Sequence, residues 1–115
     1  LKPAELIAEL ASGNEWRREN AQRLLVETGD RSLAPALTAF GLKTPSPMGR
    51  VHALWTQHGL KSADWTLVEA GLADADPRVR AAALRVSESL MGGTHRTDVI
   101  ARWTALAFSP PLASA

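Results

Sequence analysis

The sequence predicts an all-α fold: an α-solenoid (α-α superhelix) of about three helix pairs plus a partial fourth. Three observations carry this. First, a helix-opening turn runs three times into an arginine followed three residues later by alanine: Arg18 and Ala21, Arg50 and Ala53, Arg80 and Ala83. Second, the arginines lie 32 and 30 positions apart, so the unit is about 31 residues, in the range of stacked helical repeats. Third, apolar residues recur at steps of three and four between helix start and stop signals, as in Val79, Ala83, Val86 and Leu90.

The elements follow in order. The first unit, about 1–29, pairs a helix over Pro3 to Ala11 with one over Glu15 to Thr28, capped by Asn14 and closed by Gly29. The second, about 30–60, pairs Arg31 to Gly41 with Pro47 to His58; Ser46 is the N-cap and Pro47 takes the tolerated first position. Pro35 falls in a first turn, where a missing amide donor costs little. The third, about 61–93, pairs Ala63 to Ala73 with Pro77 to Met91, opened by Asp76 and ended by Gly92 and Gly93. A partial fourth, 94–108, holds a helix over Thr97 to Phe108, and 109–115 is an irregular tail. The expected core includes Leu6, Ile7 and Leu10, then Leu33, Leu37 and Phe40, then Leu67, Val68 and Leu72. Val99, Ile100, Trp103 and Leu106 complete it, with Trp55 also inside. One helix pair cannot bury its own apolar face, so stacking completes the core. The alanine shared by the second helices lets the partner helix come close.

Composition fits one domain with a continuous core, since a chain of 115 residues buries roughly 65% of its unfolded surface. Thirteen basic and twelve acidic side chains give a formal charge of +1, mixed along the chain, which offers no general attraction to nucleic acid or an anionic membrane. There is no cysteine, hence no disulfide, thiol nucleophile or thiolate metal site. No run approaches the 18 to 20 apolar residues that span a bilayer. The start at Leu1 and the SPPLASA end suggest a segment of a longer protein.

The third unit, LADADPRVRAAALRVSESL, resembles a HEAT repeat, with aspartate, proline, valine and arginine in that family's order. The first unit departs from the pattern, with Glu15, Trp16 and Arg17 at the places of Pro77, Arg78 and Val79, and the second has Gly49 in place of the valine. The resemblance implies a right-handed superhelix in which Arg18, Arg50 and Arg80 form a structural ladder to loop acids or carbonyls of neighbouring units. The stretches NEWRRENAQRLLVETGD, GRVHALWTQHGL and AGLADADPRVRAAALRVSE are also similar to the helical-repeat segment of planctomycete-type membrane-bound dehydrogenases that carry a cytochrome c module. That likeness implies a place between redox domains and a periplasmic or extracytoplasmic setting. It transfers no catalytic residue, because the Cys-x-x-Cys-His of covalent haem is missing here.

No catalytic, cofactor-binding or metal-ligating residue is assigned. His52 and His58 are six apart and point about 120° away from each other on one helix, so they cannot chelate together. Asp74 and Asp76 lead into Pro77 with no bidentate glutamate to close a calcium loop, and helix capping explains them better. Arg17, Arg18 and Arg23 beside Trp16 suit nucleic acid, but Glu15, Glu19 and Glu27 interleave with them. Trp16 and Trp65 stand at helix starts, where each staples units together or anchors a partner. The sequence therefore reads as a non-catalytic scaffold or interaction module whose partner is a protein or a neighbouring domain. Its candidate contact surface is Trp16, Arg17, Asn20, His52 and Arg78. A nucleic-acid-binding helical repeat is the alternative.

Overall fold

The computed structural model describes residues 2–108; the tail expected at 109–115 lies outside them. The chain is all-helical, with seven α-helices, two 3-10 turns and no strand among the described residues. The helices are α1 (Pro3–Glu9), α2 (Glu15–Thr28), α3 (Ala34–Lys43), α4 (Pro47–Gly59), α5 (Trp65–Leu72), α6 (Pro77–Ser87) and α7 (Arg96–Phe108).

Local chemistry sets the starts. The Asn14 side chain accepts from the Arg17 amide, Ser46 from Gly49 and Asp76 from Arg78, each satisfying a donor that the first turn leaves free. Asp64 does the same for Thr66 at the head of α5. Gly29 closes α2 in the left-handed conformation, φ 64°.

Four elements are shorter than the periodicity suggests: α1 stops at Glu9, α5 covers Trp65–Leu72, and at the other two a 3-10 turn takes the place of α-helix. A 3-10 turn, Arg31–Leu33, precedes α3, with Asp30 capping Ser32. The run expected to reach Met91 leaves α-geometry after Ser87 and tightens into a 3-10 turn, Glu88–Leu90. There Ser87 and Ser89 return their hydroxyls to the carbonyls of Leu84 and Val86, at 2.6 and 2.7 Å, local bonds that compete with helix propagation.

Helices pair as α1 with α2, α3 with α4 and α5 with α6. Between pairs, α2 packs on α4 and α4 on α6, while α1 packs on α3 and α3 on α5. Like therefore stacks on like in two rows, and the thinnest dimension, 19 Å, is about two helix diameters. The central α4 meets α2, α3, α5 and α6, which is why so much of it is buried.

Spacing within the pairs has a glycine component that periodicity does not reveal. A Cβ on Gly71 would lie 2.8 Å from the Ala83 methyl, and one on Gly41 would lie 3.3 Å from the Ala53 methyl and 2.6 Å from Leu67 Cδ1. Both glycines stand twelve positions before the alanine they meet (83 − 71 and 53 − 41). The shared alanine thus meets a bare backbone. Twelve before Ala21 stands Glu9, which pairs with Arg17.

Most of the expected core is buried, including Leu10, Leu37, Val68, Leu72 and Val99. Ile100 is the exception: at 41% exposure it faces away while Val99 takes the inner position. Leu33, Phe40, Trp55, Trp103 and Leu106 are only partly buried; the Trp103 indole donates to Ser87 Oγ at 3.1 Å and ties α7 to α6.

Candidate functional site

The three repeated arginines share one bond. Arg18 donates to the Ser12 carbonyl at 2.8 Å, Arg50 to the Thr44 carbonyl at 3.0 Å and Arg80 to the Asp74 carbonyl at 2.8 Å, each six residues back in its own inter-helix turn. Each guanidinium therefore locks the turn of its own helix pair.

Only Arg50 also reaches the next pair. Its Nε and Nη2 grip Asp74 at 2.7 and 3.2 Å in a fork. Thr44 occupies the place in the second pair that Asp74 occupies in the third, so Arg18 has no equivalent acid, and its buried Nε is without a partner among the described residues. The arginines are structural groups, and among the described residues one of them makes a side-chain rung between pairs.

The five residues read from sequence as a contact surface separate. Trp16, Arg17 and Asn20 come together with Leu6, Glu9 and Ala21 around a shallow cleft of about 140 Å³. Trp16 is 70% exposed, Arg17 is paired with Glu9, and Asn20 Oδ1 accepts from Arg23 at 2.7 Å. Arg78 is exposed at the head of α6 and gripped by Asp76; the hydrogen bonds from Arg78 lower the Asp76 carboxyl pKa to about 2.

His52 does not belong to that surface. It is 8% exposed, with Nδ1 2.7 Å from the Gln22 Oε1 of α2. Of the equivalent places Asn20, His52 and Ala82, the last two face the preceding helix pair: α2 covers His52, and Ala82 is buried in the core it shares with Val51 of α4. In the first pair no described helix covers that face, and Asn20 remains partly exposed beside Trp16.

Burial, and after it the nearby Arg18 charge, push the His52 pKa below its usual 6.5, against weaker opposing effects of Glu19 and Glu15. Above about pH 6.5 the folded and unfolded chains both carry neutral imidazole. Below it the unfolded chain gains a proton that the fold resists, so stability falls with decreasing pH until the folded pKa is passed. Between pH 7 and 5 the stability loss is expected to be smaller in His52→Gln than in the wild type. This window lies above the titration of Asp76. Equal pH slopes in urea denaturation would refute the assignment.

Among the described residues no group of three or more His, Cys, Asp or Glu side chains is placed to hold a metal ion, and no helix is long and apolar enough to cross a membrane. Comparisons with protein-family models, curated proteins and solved structures find no match.

Proposed function

We propose that the chain is a HEAT-like, right-handed α-solenoid segment that serves as a non-catalytic scaffold, with a protein or neighbouring domain docked at its first helix pair. The stacking of like helices on like, with one arginine-to-carbonyl lock repeated in each pair, supports the repeat reading. One observation carries the docking surface: the face that the second and third pairs bury against their predecessors is covered by no described helix in the first, and Trp16 stands 70% exposed on its edge. A large, stiff aromatic beside an arginine is the residue type that anchors protein interfaces. The ion pairs of Arg17 with Glu9 and Arg23 with Glu27 neutralise the charge that phosphate binding would need, which favours a protein partner over nucleic acid.

The double variant Trp16→Ala with Arg17→Gln should lose roughly tenfold or more of the partner captured from the native source. The exposed control Leu42→Ala should capture it as the wild type does. Equal capture by both would sink the surface assignment, and duplex binding that weakens steeply with salt would favour the nucleic-acid reading. The narrower proposal, orientation of redox domains in a longer dehydrogenase, requires a propeller-type neighbour upstream and a Cys-x-x-Cys-His downstream in the full-length gene.

A further inference from the structure

A second cleft, built from different elements, points to a ligand. It has a volume of about 380 Å³ and lies where the turn before α3, the α4–α5 turn and the 3-10 turn after α6 meet. Arg31, His58 and Lys61 line it, with Ser62, Ser89 and Leu90, and no carboxylate does. We propose that this cleft binds a dianionic phosphate group, such as a phosphomonoester.

Charge is the first argument. Among the described residues Arg31, His58 and Lys61 form no ion pair, whereas Arg17, Arg23, Arg50, Arg78 and Arg85 each face an acid. Two acids close in sequence, Asp30 and Asp64, keep their charge but do not line the cleft, and their carboxylates are held at caps. Asp30 accepts from the Ser32 amide at 2.9 Å, and Asp64 accepts from the Thr66 amide and Thr38 Oγ1 at 3.0 and 2.7 Å. The C-terminus of α4 brings only about half a negative charge, less than the two positive charges of Arg31 and Lys61.

Backbone geometry is the second. Lys61 has φ 57° and is the one non-glycine residue in the left-handed region among those described. Its place in the repeat is that of Gly29, at φ 64°, thirty-two positions earlier (61 − 29). The Lys61 amide donates to the His58 carbonyl and the Ser62 amide to Gln57, at 3.0 and 2.9 Å, closing α4 with the same kind of turn that glycine enters freely and lysine enters against steric resistance. The Lys61 side chain is exposed, so packing does not account for lysine there. Lys61 lines the cleft together with Arg31 and His58, and a cation wanted there would account for it.

The donor set matches the ligand. Arginine offers a planar fork to two oxygens, lysine a point charge, and the imidazole N–H a third donor. His58 is braced edge-on by Trp55, with ring centroids 5.7 Å apart. The Ser62 hydroxyl makes only a long 3.4 Å bond to the Gln57 carbonyl and can turn toward the cleft. Leu90 supplies an apolar wall for the carbon part of an ester.

The test is a titration of the full chain with inorganic phosphate at pH 7 and constant ionic strength, chloride replacing phosphate in the reference, followed by NMR of backbone amides and imidazole carbons. Saturable shifts centred on Arg31, His58 and Lys61 are expected. Lys61→Gly should keep or raise the melting temperature and weaken binding roughly tenfold, and Arg31→Gln should weaken it similarly. Shifts no larger than those in chloride, or wild-type affinity in the folded Lys61→Gly chain, would overturn the proposal.

Discussion

Leu54→Ala is expected to remove about 2–5 kcal/mol of folding stability, a large part of the 5–15 kcal/mol typical of a domain. Leu54 is 1% exposed in the larger core cluster, among Ala53, Leu67, Val68, Leu72, Val79 and Ala83. Its Cδ1 lies 3.3 Å from where a Gly71 Cβ would stand, so it fills the groove made by the glycine–alanine approach of α5 and α6. Truncation opens a cavity between helices already too close to collapse further, which puts the cost toward the upper end of the range. Leu84, the equivalent residue one unit later, is 44% exposed, and Leu84→Ala should cost less than about 1 kcal/mol. Urea denaturation of both variants decides the matter, because similar midpoints would mean that α4 is not the centre of the stack.

Gln57→Leu should cost about 2–4 kcal/mol even though leucine has nearly the same volume. Gln57 is fully buried and uses its whole amide: Nε2 donates to the Ala34 carbonyl and Thr38 Oγ1 at 3.0 and 2.8 Å, and Oε1 accepts the Asp64 amide at 3.1 Å. One side chain of α4 thereby fixes α3 and the cap of α5. Leucine would leave the Asp64 N–H unsatisfied, and such a group costs about 1–3 kcal/mol. The substitution is instructive because Leu25 already occupies this place in the first pair (57 − 32) and is fully buried. Faster amide exchange at Asp64 and a lower urea midpoint are expected. An unchanged midpoint with Asp64 still protected would show that these bonds contribute nothing net.

What could be read from the chain, and what could not, divides by range. Caps, proline positions and Gly29 act within a few residues, and they mark the starts of α2, α4 and α6 and the end of α2 without knowledge of the neighbours. The role of His52 depends on Gln22, thirty residues away, so a polar residue at a varying place in the repeat read as surface while α2 covers it. Gln57 was hidden for the same reason, its partners lying on α3 and before α5. The signal for Gly41 and Gly71 was present but subtle: a glycine twelve residues before the shared alanine in two units. Lys61 becomes conspicuous only when set beside Gly29. Trp16, Arg17 and Asn20 come together around one cleft, and what the sequence does not show is the face beside them that no described helix covers.

The joints between helix pairs are not alike. Between the second and third pairs the forked Arg50–Asp74 contact spans a core that runs through both. Between the first and second, Thr44 takes the acid's place; a separate, smaller cluster holds Leu6, Ile7, Leu10, Ala21 and Leu25 with Leu37 and Leu60, Leu33 and Phe40 pack against it, and the His52–Gln22 hydrogen bond also spans the joint. Elements coupled only to their neighbours behave as springs in series, and the softest takes up most of the extension. The first helix pair is therefore expected to open before the other two, with amide protection in α1 and α2 below that in α4 to α6.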